Sequence, residues 1–227
     1  MISVDTIYQR VLAIANKEQR GYITPQEFNL LANQAQGEIF EGYFYEIDRL
    51  RRLHGSQHKL SDKLEIINSK IKKFYKWNVP LAGTTLPAGV YRVESLYHNG
   101  NLCQRMDRNE VETARKTAIL KPTPSRPIYH DWAGGSQVRA YNGGGVLNAL
   151  LRVDYIRKPK GAKWAYVVTN EKALYNAGSS QNFELHQSEK QELVQRILEL
   201  AGVTIAKVGL AEIADKQEKE MTQPEKQ

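Results

Sequence analysis

Apolar residues recur at helical spacing from the start of the chain. Val4, Ile7, Tyr8, Val11, Leu12 and Ala15 form one stripe, which predicts a first helix. Asp5 sits in its first turn, where a carboxylate faces unpaired N–H groups favourably, and Gly21 closes or follows the element. Thr24-Pro25-Gln26-Glu27 is the clearest helix start. Thr24 suits the N-cap, Pro25 the first helical position, and Glu27 closes a capping box. From there Phe28, Leu31, Ala32, Ala35, Ile39, Tyr43, Ile47, Leu50 and Leu53 keep the helical period. The spacing predicts a helix over 25–53, roughly 40 Å long, with Gly37 and Gly42 as weak points for a bend. His54-Gly55-Ser56 reads as its stop. Ser61 or Asp62 is the expected cap of a third helix whose face is Leu60, Leu64, Ile67, Ile71 and Phe74.

After Trp77 the period changes. Pro80, Gly83, Pro87 and Gly89 punctuate the chain, and strands are expected to follow. Gly89–Tyr97 alternates, with Tyr91, Val93 and Tyr97 on one side. Asn99-Gly100 is a two-residue hairpin turn, and Leu102–Met106 is the return strand. Asp107 and Glu110 form a second capping box for a short helix near 108–118. Lys121–Pro127 carries three prolines and is neither helix nor central strand. Short strands are expected at Ile128–His130, Gln137–Tyr141, Leu150–Arg157 and Trp164–Val168, with Gly143-Gly144-Gly145 separating two of them.

Helical spacing returns at Leu193, Val194, Ile197, Leu198 and Ala201, opened by a Ser188/Gln191 capping box and ended by Gly202. A weak last helix is expected from Gly209 to about Glu220, and a polar tail over Gln217–Gln227. The order of helices, strands and helices predicts an α+β fold: a helical bundle with a central β-rich insertion domain. Residues 1–77 form the N-terminal part of the bundle and 78–170 the β-rich insertion. Residues 171–216 return as helices, and 217–227 form the polar tail. No internal repeat is present.

Composition narrows the function classes. The 227 residues contain one cysteine, Cys103, which excludes a disulfide scaffold and a four-cysteine zinc site. No apolar run is long enough for a membrane helix, and no signal peptide is evident at Met1–Asp5. The net charge of +7 is concentrated in the middle, where residues 61–160 carry seventeen basic against eight acidic side chains. A basic segment of this kind suits a polyanion or an acidic protein face, and equally a solvated surface.

Candidate chemistry is sparse. His54 and His58 have an i,i+4 metal-pair spacing but lack the intervening Glu of a zincin helix. His130-Asp131 lies near Ser125 and Ser136, neither in a nucleophile elbow; a hydrolase would need His130, Asp131 and Ser136 to converge. Cys103 falls on a predicted strand with nothing to activate it. Asn142–Val146 and Ala133–Ser136 are glycine-rich turns lacking a phosphate-loop signature. Asp107, Glu110 and Glu112 read as the acidic start of a helix. Lys70, Lys72, Lys73 and Lys76 cluster beside Phe74, Tyr75 and Trp77, either a phosphate-facing patch or an ordinary helix C-terminus. The expectation is therefore no catalytic residue, no cofactor and no metal: a protein that is not an enzyme. Twelve tyrosines suit surfaces that partners cover.

Several segments carry a resemblance. They are Ile2–Tyr8, Gly21–Gln36 with its Asn33–Gln36 run, Leu86–Arg92, Pro127–Tyr129, Tyr155–Pro159, Phe183–Lys190 and Ile197–Gly202. Together they resemble tailed-bacteriophage head–tail adaptor or neck ring proteins, especially those of crAss-like and related podoviruses. The middle β domain is larger than in the simplest adaptors. The resemblance implies a virion structural protein at the neck, assembled in the host cytoplasm into a homo-oligomeric, usually twelve-fold ring. It would join the portal protein to the next neck or tail ring and leave a channel for DNA, with no membrane partner and no catalytic or cofactor residues. On that expectation residues 1–76 and 188–216 form the ring body. Loops at Asn99-Gly100, Pro122–Pro127 and Asn142–Gly145 reach toward the next ring. The alternative is a basic nucleic-acid-binding protein using residues 61–160.

Overall fold

The capped segment at Thr24 opens a helix of 28 residues, Pro25–Arg52 (α2), in a computed structural model that describes residues 1–17, 23–52, 57–143, 145–169 and 172–202. The box forms as its sequence predicts. The Glu27 N–H donates to Thr24 Oγ1 (3.3 Å), the Thr24 N–H to Glu27 Oε2 (2.9 Å), and the Thr24 hydroxyl to the same carboxylate (2.8 Å). These bonds hold the Glu27 carboxyl below its ordinary pKa, the backbone bond from Thr24 first. A depressed carboxyl contributes stability above its unfolded pKa and loses it as pH falls, so acid weakens this helix start. Thr24→Ala is expected to cost about 1 kcal/mol, read as a lowered denaturant midpoint at neutral pH. An unchanged midpoint would remove Thr24 from the cap.

The chain divides into two compact units, with borders at Glu46/Ile47 and Pro159/Lys160. Both helices and sheet are present, an α+β fold. The first unit holds α1 (Val4–Lys17), α2 as far as Glu46, a two-stranded antiparallel ribbon and α5 (Lys190–Leu200). The stripes read from sequence are its core: Val4, Ile7, Tyr8, Val11 and Ala15 are buried, as are Phe28, Ala32, Ala35 and Ile39, and Leu193, Val194, Ile197 and Leu198. The α1 start is closed from the far end of the chain. The Val4 N–H donates to Asn182 Oδ1 (3.0 Å) and the Phe183 N–H to the Ile2 carbonyl (3.1 Å).

Three amides on α2, at i, i+4 and i+7, bind a returning stretch of backbone. Asn29 Nδ2 donates to the Trp164 carbonyl (3.1 Å), and Asn29 Oδ1 accepts from the Trp164 N–H (2.7 Å). Asn33 Nδ2 donates to the Ala162 carbonyl (2.8 Å) and Gln36 Nε2 to the Lys160 carbonyl (2.8 Å). Gln36 Oε1 accepts from the Glu184 N–H (3.2 Å), while Glu184 Oε2 accepts from the Lys160 N–H (2.8 Å). Together with an antiparallel bridge between Lys163 and Gln181, this amide ladder satisfies the backbone of an otherwise irregular segment.

The second unit is Ile47–Pro159. It holds the end of α2, α3 (Gln57–Lys72) and α4 (Arg108–Lys116). Seven strands accompany them: β1 (Tyr75–Pro80), β2 (Val90–His98), β3 (Asn101–Arg105), β4 (Ile128–Trp132), β5 (Gln137–Tyr141), β6 (Val146–Leu147) and β7 (Leu151–Arg157). They form one sheet in the order β1-β7-β2-β3-β4-β5-β6, antiparallel except for the β3–β4 pair. β3 and β4 run parallel because α4 carries the chain back between them, as a parallel pair requires. One face buries Leu96, Cys103, Tyr129, Val138, Ala140, Leu151, Val153 and Tyr155. The other is covered by α4, whose Val111 and Ala114 pack with Ile128 and Tyr141. β4 is therefore buried on both faces at its start.

Several details correct the sequence expectations. α3 begins at Gln57, so Ser61 and Asp62 lie inside it; polar residues are tolerated in an early helical turn when an apolar face follows. Its end is tied to the sheet, because the Arg157 N–H donates to the Phe74 carbonyl (3.0 Å), and β1 starts at Tyr75. Residues 47–77 accordingly count with the sheet in this division. In β2 the fully buried residue is Leu96, while Tyr91 and Tyr97 stay part-exposed. Register shifts between Val90/Arg92 and Val93/Ser95 reverse the alternation, as bulges do. At α5, Ser188 is not the cap. The His186 side chain accepts from the Ser188 N–H, capping a short 3₁₀ turn over Gln187–Glu189, and Glu189 precedes the helix. The Asn99-Gly100 turn forms as expected, with both residues at positive φ (48° and 82°) and His98 paired with Asn101. Gly202 also ends α5 at positive φ, its N–H donating to the Glu199 carbonyl (3.0 Å). Gly21, the His54–Ser56 stop, the helix expected near 209–220 and the tail lie outside the described residues.

Candidate functional site

α4 sets the geometry of the most distinctive surface. Its capping box is present: the Asp107 N–H donates to Glu110 Oε2 (2.9 Å). With Val111 and Ala114 turned into the sheet, Arg108 and Arg115 flank that apolar stripe at i−3 and i+4 from Val111, so their stems cover the sheet edge. The Arg108 guanidinium lies 5.2 Å from the centre of the Trp132 ring, at the end of β4, and Arg139 on β5 lies 3.7 Å from the same ring. Arg115 lies 4.5 Å over Tyr141. His130 stacks on Tyr141 (6.1 Å, 14°) and meets Trp132 edge-on (5.7 Å, 78°). Two aromatic rings thus hold three guanidinium groups by cation–π contact.

Beside Tyr141 a cavity of about 420 Å³ opens among Glu112, Arg115, Lys116, Lys121, Pro122, Gly143 and Gly145. Arg115 pairs with Glu112 at 3.3 Å. Among the described residues the side chains of Arg108, Arg139, Lys116 and Lys121 meet no carboxylate and donate no hydrogen bond. Gly143 seals one wall. At φ +88° it stands where a Cβ would come within 2.4 Å of the Pro122 carbonyl oxygen, so only glycine fits. The loops expected to act as docking tips also adjoin. Asn101, next to the hairpin turn, donates through Nδ2 to the Pro124 carbonyl (3.2 Å), and Gly143 abuts Pro122.

The sequence candidates fall elsewhere or apart. His130 is buried and its Nδ1 lies 2.9 Å from the Asp131 carbonyl, while the Asp131 carboxylate pairs with Arg105. The Ser136 hydroxyl donates to the Ala133 carbonyl (2.7 Å) and the Ser125 hydroxyl meets that of Thr123 (3.2 Å). No hydrogen bond links His130 to either serine. Ala133–Ser136 is a turn, with Ala133, Gly134 and Gly135 at positive φ. His54 and the His58 side chain lie outside the described residues. Among the described residues no cluster of His, Cys, Asp or Glu is placed to hold a metal ion, and no helix is long and apolar enough to cross a membrane. In the lysine patch, Tyr75 and Trp77 stack in parallel (5.0 Å, 13°) and line a shallow cleft with Leu64, Glu65, Asn68 and Lys72. Burial raises the Tyr75 pKa, Glu94 adding to it and Arg92 and Arg51 opposing.

Cys103 lies inside the sheet core, and burial pushes its thiol up to about 12 from 9.0; the Tyr129 hydroxyl beside it rises to about 12 from 10.0, again through burial. Both are acids whose folded pKa exceeds the unfolded one. The stability they favour is fully present below about pH 9 and is lost as pH climbs toward 12. Native Cys103 is accordingly expected to resist a thiol reagent at pH 8 and to react fully in denaturant. Equal labelling rates in both states would contradict its burial.

Sequence reading singled out the helix acids around Arg108 and missed the arginines. A signal was present: Arg108 and Arg115 are seven residues apart, hence on one helix face. Their aromatic partners come from a hairpin that only the fold brings alongside. No protein-family model matches the chain, and no curated protein matches it.

Proposed function

We propose that this chain is a structural subunit of a tailed-phage neck. In that reading a helical bundle carries the β-rich part, and copies of the chain form a head-to-tail connector ring, usually of twelve subunits, with the portal protein on one side and the next neck or tail ring on the other. The reading starts from the sequence resemblance. What supports it is that the resembling segments near the two ends of the chain meet in one frame. Ile2 pairs with Phe183, Asn33 and Gln36 bind the backbone at 160–162 and 184, and α1 packs with α5. These residues are spent on architecture, as suits a scaffold without an active site. Loops that adjoin at Asn101, Pro124 and Gly143 supply a docking edge, stiffened by prolines that lower the entropy lost on contact.

The ribbon of β8 (Tyr166–Thr169) and β9 (Lys172–Tyr175) adds a second surface. Val167, Val168 and Leu174 are each more than half exposed on it. Exposed apolar side chains on a two-stranded ribbon suit burial against a neighbouring copy. A dedicated nucleic-acid-binding role, the competing reading, rests on the basic face of the sheet unit alone; in the ring reading DNA is a passenger in the channel. Quantitative mass spectrometry of purified phage particles tests the proposal. The chain is expected among the virion proteins at a copy number near that of the portal. Its absence from particles would overturn the reading.

A further inference from the structure

We propose that the α4–β4–β5 face of the sheet unit is a binding site for the phosphodiester backbone of nucleic acid, formed by Arg108, Arg115, Lys116, Lys121 and Arg139. The inference does not depend on ring assembly.

Three observations carry it. First, the side chains of four of these cations have no carboxylate partner and donate no hydrogen bond among the described residues. An arginine has five donors, and on this surface two arginines leave all of theirs to solvent or a ligand. Second, the guanidinium groups are held in place. Arg108 and Arg139 contact the Trp132 ring, and Arg115 lies over Tyr141. A side chain already held against a ring loses less rotamer entropy on meeting an anion, and stacked arginine suits phosphate better than lysine does. Third, a concave site exists beside them. The cavity holds Arg115, Lys116 and Lys121 against Glu112 as the carboxylate of its lining, and a wall that admits only glycine at position 143.

The chemistry favours nucleic acid over an acidic protein face. Protein interfaces have an apolar core within a polar rim. The lining here is mostly charged residues and glycine, with Pro122 and Tyr141 as its apolar members. Trp132 is already in contact with two guanidinium groups. Binding is therefore to backbone phosphates and indifferent to sequence.

The test is fluorescence anisotropy of the full chain with short labelled DNA duplexes of two unrelated sequences, across a salt series. Both duplexes are expected to bind equally, and the logarithm of the binding constant should fall against that of salt with a slope of about −3 to −4. The R115Q/K121Q variant should weaken binding at least ~10-fold and reduce the slope by about 2, since each lost phosphate contact removes about 0.9. The conservative R115K/K121R variant should restore the slope. K73Q/K76Q, which removes the same charge from the lysine patch, should leave it unchanged. Absence of duplex binding at low salt would overturn the proposal. So would an equal loss in K73Q/K76Q, which would assign the binding to diffuse charge.

Discussion

Gln36→Ala is expected to destabilise the protein by about 2–3 kcal/mol, although it removes only one amide. Gln36 is 2% exposed and bonds both backbone groups it faces, the Lys160 carbonyl and the Glu184 N–H. Truncation takes the Gln36 amide away from both in a buried site, where the cost includes desolvation and not only the modest net value of a hydrogen bond. Gln36→Glu should be at least as harmful: it keeps an acceptor for Glu184 N–H, loses the donor to Lys160, and brings a second carboxylate near that of Glu184. Urea titrations should show lower midpoints for both variants. A Gln36→Ala loss below about 0.5 kcal/mol, the range of ordinary surface substitutions, would mean the ladder is not what holds the returning segment.

Asp154→Ala carries the second large effect, in the sheet unit. β1 is an edge strand, and its register against β7 shifts between Lys76 and Val79. The shift is possible because Asn78 takes φ 55° and donates its N–H to Asp154 Oδ1 at 2.6 Å. Asp154 is 7% exposed and sits on β7 beneath the bulge. A charged acceptor for a backbone N–H is worth about 1.5–3 kcal/mol, so alanine should cost about that much. Asp154→Asn keeps an acceptor and should recover part of it. Hydrogen exchange is the sharper readout: amides over Tyr75–Pro80 should exchange faster in Asp154→Ala, while those of α1 and α5 stay as they were. Uniform acceleration across the chain would contradict a local role.

The helices were legible because their burial follows the 3.6-residue period. Val4 to Ala15, Phe28 to Leu50 and Leu193 to Leu198 are buried where the apolar stripe places them. Short-range chemistry was equally readable: the Thr24 and Asp107 boxes and the Asn99-Gly100 turn each depend on residues within three positions. What escaped depends on distant partners. β1 is exposed along most of its length, so no alternation betrays it, and only pairing with β7 makes it a strand. The β2 alternation reversed because bulges, which composition does not reveal, shift the pleat. The amide ladder is visible as Asn29, Asn33 and Gln36, but the backbone it binds lies more than a hundred residues away. The basic face escaped for the same reason, since the crossover through α4 brings Arg108 and Arg115 over Trp132 and Tyr141.

The ring proposal makes one demand that outweighs the others, on mass. Neck assemblies released from purified particles should be weighed by native mass spectrometry and dissociated to identify their components. The account predicts an assembly holding about twelve copies of the 25.9 kDa chain, closed by symmetry so that every copy contacts two neighbours. A chain found at one or two copies per particle, or only ever as a free monomer, would contradict it.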